Sequence, residues 1–503
     1  MHRDAVINTM RRAMAHEQWA TAIQTAQQWR ENGGRHWSIS LNLAICLLRN
    51  RQANTDQLSA LATEALQLSQ HHPMARLGCT ELAIGMGLHE QALSLLDSLK
   101  GFRLPTPGPW SAVQLRVKAL SALGRSEEAL AELERWPVHE RGLQWQMTAA
   151  ERLLQLNAWP EAEAIYRSIL AAQPYRQQAH HNLSLTLLSQ QQWSEGWQEY
   201  EWRPANPRRE QPGQLPPLPQ LEQLSRTTVM VVDELGIGDQ IMLARYLPTL
   251  AQACRRLIIQ PAQRLSNLLR RSLPDDIDII EADNVPQHHG NDTSPLVIGF
   301  GSLPLLCWEA DGFGQRNDPW MLRPDQDRTQ HWRQQLQRIS PRKSTVGIGW
   351  LGGSSGAEHR ERSMTAADLK LFHQHDNITG VDLQFLPPAW EHLRQERASS
   401  LHTLLASPGQ NLDETAALIA ALDHIITTRQ TVAHLAGAIG KSATVLVPKR
   451  QEWRYSRSEE CWHWYPNTIC VHQHVRGDWQ PELNQFIASL NLKQTEQITR
   501  KGN

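Results

Sequence analysis

Two stretches of the chain, WPEAEAIYRSILAAQP and WSEGWQEYEW, open alike, and the small residues Ala162 and Gly196 within them stand 34 residues apart. From Ala162 the pattern runs on through Tyr166, Leu170 and Pro174 at steps of four. Upstream, SEEAL offers Ala129, HEQAL offers Ala92 and WATAI a more degenerate start at Ala22. A stack of helix pairs needs a small residue where its two helices cross, and no pair buries its apolar face alone. Residues 1–203 otherwise place apolar residues at i, i+3, i+4 and i+7 with short breaks and no strand-like alternation. They are therefore expected to form consecutive amphipathic helices, about five or six pairs of them.

That period resembles the tetratricopeptide repeat (TPR) family, which implies an α-solenoid with an extended groove. Ten of the 19 Trp lie at or before Trp202. Trp19, Trp159 and Trp193 each precede a crossing position and read as repeat core. Trp37, Trp110 and Trp145 open first helices and leave room for an aromatic concave surface holding an extended peptide.

The texture changes at Pro204, where PANPRREQPGQLPPLPQLEQ reads as a semi-rigid joint over 204–225. Beyond it, short β-branched runs alternate with helical segments. TTVMVV, RLIIQP, DIDIIEA and PLVIGF are the strands of a first series over 226–325. STVGIGW, VDLQFL, DHIITT and ATVLVP belong to a second series over 326–503. Such alternation predicts two open parallel sheets, whose ligands sit at the carboxyl ends of the strands.

Fifty Lys and Arg against 51 Asp and Glu give a net charge of -1, so no global field draws the chain to nucleic acid or an anionic membrane. The start, MHRDAVINTMRRAM, lacks a signal-peptide apolar core, no run approaches a spanning helix, and a cytosolic location is expected. The cysteines Cys46, Cys79, Cys254, Cys307, Cys461 and Cys470 form no C-x-x-C pair and read as reduced, structural thiols. Asp276-x-Asp278 has the spacing of a metal-binding pair, yet its alternation suits a strand. The paired histidines at 71–72, 180–181, 288–289 and 472–474 lack a third ligand at helical spacing.

Three loops carry the candidate chemistry. In DELGIGDQIMLARYLP, Gly236 and Gly238 permit a tight turn and close approach of a ligand, and Asp239 falls near a helix start, where it could equally be an N-cap. In GWLGGSSGAEHRERSM, Gly352, Gly353 and Gly356 free the backbone while Arg360 and Arg362 bring positive charge beside Ser363. In TTRQTVAHLAGAIG, Arg429, Gln430 and Thr431 stand at the start of a small-residue helix carrying His434, a ready anion site. Trp453 and Arg454 follow the strand ATVLVP, where stacking of Trp453 on a ligand and simple packing are both open.

Taken with LDETAALIAALDHIITTRQTVAHLAGAIGK, VPKRQEWRYSRSEECWHWYP and RGDWQPEL, these motifs resemble the bacterial TPR-containing glycosyltransferases related to the heptosyltransferases, over most of residues 180–490. The resemblance implies a GT-B pair of Rossmann-like domains behind the solenoid, an acceptor-side one first and a nucleotide-sugar-side one second. It also implies inverting transfer from a nucleotide-sugar donor without a metal cofactor. Asp239 would be the general base, and Gly236, Gly238, Gly352, Gly353, Arg362, Ser363, Arg429, Gln430, Thr431, His434 and Trp453 would surround the donor. The helical half would present a protein or peptide acceptor. A lipid-linked or polysaccharide acceptor, and a non-catalytic scaffold that keeps the fold, are the alternatives. One departure stands out: many relatives have an acidic residue ahead of the donor helix, where this chain has Arg429-Gln430-Thr431. His434 there is either a donor contact or a packing residue.

Overall fold

A computed structural model of the chain describes residues 2–501 except 51, 71, 103–107, 137–140, 209–214, 282–293, 314–321, 342, 353–361, 406–408, 456 and 458–461. It divides into two compact units, Met1–Arg152 and Leu153–Asn503. The division falls within the helix Leu143–Gln155.

Twelve helices come first: α1 (Arg3–Ala15), α2 (Trp19–Glu31), α3 (Trp37–Arg49), α4 (Thr55–Leu68), α5 (Pro73–Gly85), α6 (His89–Asp97), α7 (Gly108–Ala122), α8 (Ser126–Glu134), α9 (Leu143–Gln155), α10 (Trp159–Ala172), α11 (Gln177–Ser189) and α12 (Trp193–Tyr200). In the first unit α1–α2, α3–α4, α5–α6 and α7–α8 pack as pairs, and in the second α11 packs on α10 and α12. Ala22, Ala92, Ala129 and Ala162 are wholly buried, each at the fourth residue of its helix. Gly196 occupies the same place on α12, where a Cβ would come within 2.7 Å of Leu188.

The helix α4 carries Leu58 at that position, also buried. This explains the gap in the sequence pattern between Ala22 and Ala92, since a pair crossing on Leu gives no small-residue signal. Trp145 is tied down, its indole N–H donating to the Leu133 carbonyl at 2.8 Å under the Arg141 guanidinium. The side chain of Trp110 lies outside the described residues.

In the second unit the strands β1 (Thr228–Val232), β2 (Arg256–Gln260), β3 (Ile277–Ile279) and β4 (Leu296–Gly299) form a parallel sheet in the order β3-β2-β1-β4. The strands β5 (Ser344–Gly349), β6 (Ile378–Asp382), β7 (His424–Thr428), β8 (Ala443–Val447) and β9 (Thr468–His472) form another, β6-β5-β7-β8-β9. All pairings are parallel. Each order reverses once, between β1 and β4 and between β5 and β7. Crossover helices on either side of such a reversal diverge and leave a crevice at the carboxyl ends of those strands. Asp278 lies on β3 and pairs with Arg256 of β2 at 2.6 Å, as the strand reading of that motif requires.

The helices that position the site are α13 (Ile237–Leu243) after β1, α14 (Leu247–Ala253), α15 (Gln263–Ser272), α16 (Leu303–Asp311), α17 (Gln326–Ile339), α18 (Ala366–Gln374), α19 (His392–Arg397), α20 (Leu412–Ala421), α21 (Thr431–Ile439) after β7 and α22 (Gln480–Lys501). A continuous apolar core runs from Trp197 and Tyr200 on α12, through Val229 and Val231 of the first sheet and Phe300 just after β4, to Leu435 on α21 and Trp464. A second core fills the other face of the second sheet around Trp350, Phe372 and Trp479. Each such large apolar side chain contributes roughly 1.5–3 kcal/mol by leaving water.

Two sequence expectations shift. The strand expected over VDLQFL lies three residues earlier, at Ile378–Asp382. Asp382 ends it by accepting from the Trp350 indole, the Gln384 backbone N–H and Arg394, so the apolar residues that follow are buried in a loop. The edge strand β9 has no counterpart in the sequence pattern: it buries Thr468 and Cys470 and leaves Ile469 exposed, the reverse of an apolar-in, polar-out alternation.

Candidate active site

The loop after β1 turns over Asp233–Gly236 into α13, whose first turn carries Asp239. Gly238 is where α13 meets α21: a Cβ there would stand 2.9 Å from the ring of His434, which is itself buried. Gly238→Ala is accordingly expected to destabilise the second unit by about 1–3 kcal/mol, the usual cost of overpacking, read as a lowered melting temperature. Asp239 does not cap its helix. Its two carboxylate oxygens accept from Arg454, Oδ1 from Nε at 2.6 Å and Oδ2 from Nη2 at 3.0 Å. The pair is 17% and 22% exposed, so it stands at the edge of solvent and joins a loop of the first sheet to the segment after β8. Burial works against the Arg454 charge, and the Asp239 carboxylate outweighs it, raising the guanidinium above its ordinary value.

The strand β5 runs out through Trp350 and Leu351 to Gly352, packed against the Arg362 backbone and held to the Ser363 hydroxyl at 3.2 Å. Arg362 reaches across and donates from Nη2 to the Arg429 carbonyl at 2.9 Å. Beyond β7, Thr431 opens α21, and the preceding Gln430 gives that helix no side-chain cap; its amide bonds Gln384 at 3.1 Å instead. Arg429 is buried, with Nη1 to Glu452 at 3.3 Å and to the Arg450 carbonyl at 3.2 Å, while its Nε has no hydrogen-bond partner. Burial would raise the Glu452 carboxyl; Arg429 first, then Arg362, Arg454 and Arg450, bring it down to about 2. Among the described residues, four guanidinium groups thus share one glutamate and one aspartate at the end of the second sheet.

Three of the residues assigned to the donor site are buried in the interior. His434 is 3% exposed and sits between the hydroxyls of Tyr455 and Tyr465, at 3.5 and 3.4 Å, beside the Trp462 ring. Burial lowers its pKa to about 4, and from α21 it packs into that aromatic group. Trp453 is buried in an aromatic cluster, its ring at a steep angle to Trp197 at 5.2 Å and to Trp464 at 6.3 Å. Arg429 lies over the Tyr455 ring and points inward, and its carbonyl accepts from Arg362. Gly353, Gly356 and Arg360 lie outside the described residues.

Glu234, on the same loop as Asp239, has another use. Its carboxylate takes Arg203 Nε at 2.9 Å, Arg203 Nη2 at 2.7 Å and the Gly301 backbone N–H at 2.7 Å, and its side chain is 3% exposed. Arg454 and Glu452 are the residues sequence reasoning left without a role. The signal for them was the alternation of charge and aromatic in KRQEWRYS directly after a buried strand.

No family model matches the chain. It is 26% identical over 321 residues to Protein FlbA of Caulobacter vibrioides (strain ATCC 19089 / CIP 103742 / CB 15), across 59% of this chain and 52% of that one. The chain therefore spans about half the length of the curated relative it matches. Among solved structures it is similar to E. coli ADP-heptose lps heptosyltransferase II, with a TM-score of 0.36 and 14% identity over 53% of this chain and all of the other. It is also similar to YrrB, described as a TPR protein with an unusual peptide-binding site, with a TM-score of 0.27 and 15% identity over 35% of this chain and 89% of that one.

Proposed function

We propose that the second unit is a glycosyltransferase that moves a sugar from a nucleotide diphosphate to an acceptor hydroxyl with inversion. One observation carries the reading: the carboxyl ends of β1, β5, β7 and β8 converge, so that a carboxylate from the first sheet faces a cluster of arginines on the second. That division of charge suits in-line displacement. Asp239 takes the acceptor proton, the acceptor oxygen bonds to the anomeric carbon, and the sugar–phosphate bond breaks with its electron pair passing to the diphosphate. Arg362, Arg454 and the uncapped start of α21 stabilise that leaving anion, in place of a metal. The helices α1–α12 present the acceptor, a protein or peptide, in keeping with the repeat groove.

A thermal-shift screen against UDP, ADP, GDP and CMP tests the donor half, because a ligand of the folded state at 100 times its Kd adds about 2.7 kcal/mol. Arg362→Ala is expected to weaken binding of the responding diphosphate about 10- to 100-fold, the worth of a charge-assisted contact, and to leave the nucleoside unaffected. Equal losses for both ligands would move Arg362 away from the diphosphate. Transfer to lipid-linked or polysaccharide acceptors, or donor binding without transfer, would redirect the acceptor assignment or reduce the unit to a scaffold.

A further inference from the structure

We infer that Asn157, in the turn between α9 and α10, is a positioning residue for transfer: it holds the segment that carries Glu452 and Arg454 where the donor's diphosphate binds. The inference rests on the proposed transferase reading. It starts from a position that recurs in the helix pairs. Two residues past the first helix of α1–α2, α5–α6, α7–α8, α9–α10 and α11–α12 stand Glu17, Gly87, Gly124, Asn157 and Gln191, all with φ between 56° and 79°. Glycine takes that left-handed conformation freely, and other residues do so only at a cost. Gly87 and Gly124 meet the local need. Asn157 and Gln191 belong to the second unit, and there the side chain has a use, because both reach the stretch between β8 and β9.

Gln191 approaches His463 at 3.4 Å, and Asn157 makes the closer contact. Its Nδ2 donates to the Lys449 carbonyl at 3.1 Å, and its Oδ1 accepts from the Gln451 backbone N–H at 3.0 Å. One carboxamide thus grips the chain on both sides of Arg450, which takes a donor and an acceptor on the same group. From another direction Arg429 donates to the Arg450 carbonyl at 3.2 Å and pairs with the Glu452 carboxylate at 3.3 Å. Residues 448–455 lie in neither helix nor strand, so contacts of this kind, rather than a ladder, set their course. Arg454 follows within the same stretch and meets Asp239. Two residues beyond Asn157, the Trp159 ring lies 4.6 Å from the Arg457 guanidinium, a further hold on the same segment. Asn157 acts through the backbone that carries Glu452 and Arg454, which makes it a positioning residue and not a catalytic one.

The left-handed turn allows a test that separates position from stability. Asn157→Gly removes the carboxamide and relieves the turn, which offsets the two lost hydrogen bonds, so its melting temperature should not fall. Hydrogen exchange, read by mass spectrometry on the peptide that spans it, should show the Gln451 amide losing protection. Titration calorimetry of the full chain is expected to find that whichever of ADP, UDP or GDP the unaltered protein binds is held about tenfold more weakly. Glu17→Gly, the same exchange in the α1–α2 turn, should leave that affinity unchanged. Asn157→Asp keeps the size and the acceptor but sets an oxygen against the Lys449 carbonyl; it should also weaken binding, and it carries the test should the glycine variant fail to fold. Affinity unchanged in both Asn157 variants, or lost only in step with a lowered melting temperature, overturns the positioning role and leaves the transferase reading standing. Absence of binding by the unaltered protein to ADP, UDP, GDP and CMP overturns the transferase reading and the inference with it.

Discussion

Asp239→Asn is expected to slow sugar transfer by about 10²–10⁴-fold, the usual contribution of a general base. The substitution removes the carboxylate and little else. Asn keeps one acceptor oxygen for Arg454, whose partly exposed head can draw on water for the other bond, so the melting temperature should stay near that of the unaltered protein. The proper control is a carboxylate on the same loop with a different environment. Glu234 fails that test, because Glu234→Gln would strip a buried arginine of its counter-charge and confound catalysis with stability. Asp233 is suitable: it is exposed, it accepts from the Gln240 amide at 2.5 Å, and it touches no arginine of the cluster. Asp233→Asn should transfer sugar at nearly the unaltered rate. If it is the slow variant and Asp239→Asn is not, the base is Asp233. If both run at full rate, the proton leaves by another route.

The architecture was legible because its signals are local. A small residue every 34 positions and β-branched runs between amphipathic helices are written into the residues that form each element. Leu58 shows the limit: a crossing filled by a larger side chain packs as well and leaves no mark in the pattern. The loops of the site were legible for a related reason, since Gly236, Gly238 and Gly352 follow buried strands directly. Partnership was not. Asp239 and Arg454 are 215 residues apart, and nothing near either announces the other. The surroundings of His434 and Trp453 were not legible either, since Tyr455, Tyr465, Trp197 and Trp464, which pack around them, come from distant parts of the chain or from a segment without a periodic pattern.

The junction at Arg203 supports the second expected effect. The sequence assigns Arg203 to the end of the repeats, yet its side chain is 2% exposed and every neighbour binds it. Nε and Nη2 hold Glu234, Nη2 also donates to the Ser302 hydroxyl at 2.8 Å, and Nη1 donates to Glu201 at 2.8 Å. Glu201 in turn holds Arg208 at 2.8 Å. Gly301 is glycine because a Cβ would stand 2.6 Å from Arg203 Nε, and its backbone N–H closes the ring on Glu234.

The network thus ties the end of α12 to the loop that carries Asp239, five residues beyond Glu234. Among the described residues, Arg203→Ala leaves Glu201 with Arg208 alone as its cation and Glu234 buried with only the Gly301 N–H, and breaking a buried pair in this way costs about 3–5 kcal/mol. For a unit of this size that corresponds to a fall in melting temperature on the order of 10 °C. Arg203→Lys should fare little better, because one ammonium cannot reproduce the planar fork that spans Glu234, Ser302 and Glu201. A chain starting at Gln214 loses this network together with Trp197 and Tyr200 and should not fold, whereas one starting at Leu153 keeps both. An Arg203→Ala protein that melts and turns over like the unaltered chain would show that the repeats end where the sequence pattern put them, and that the Asp239 loop is held from within its own sheet.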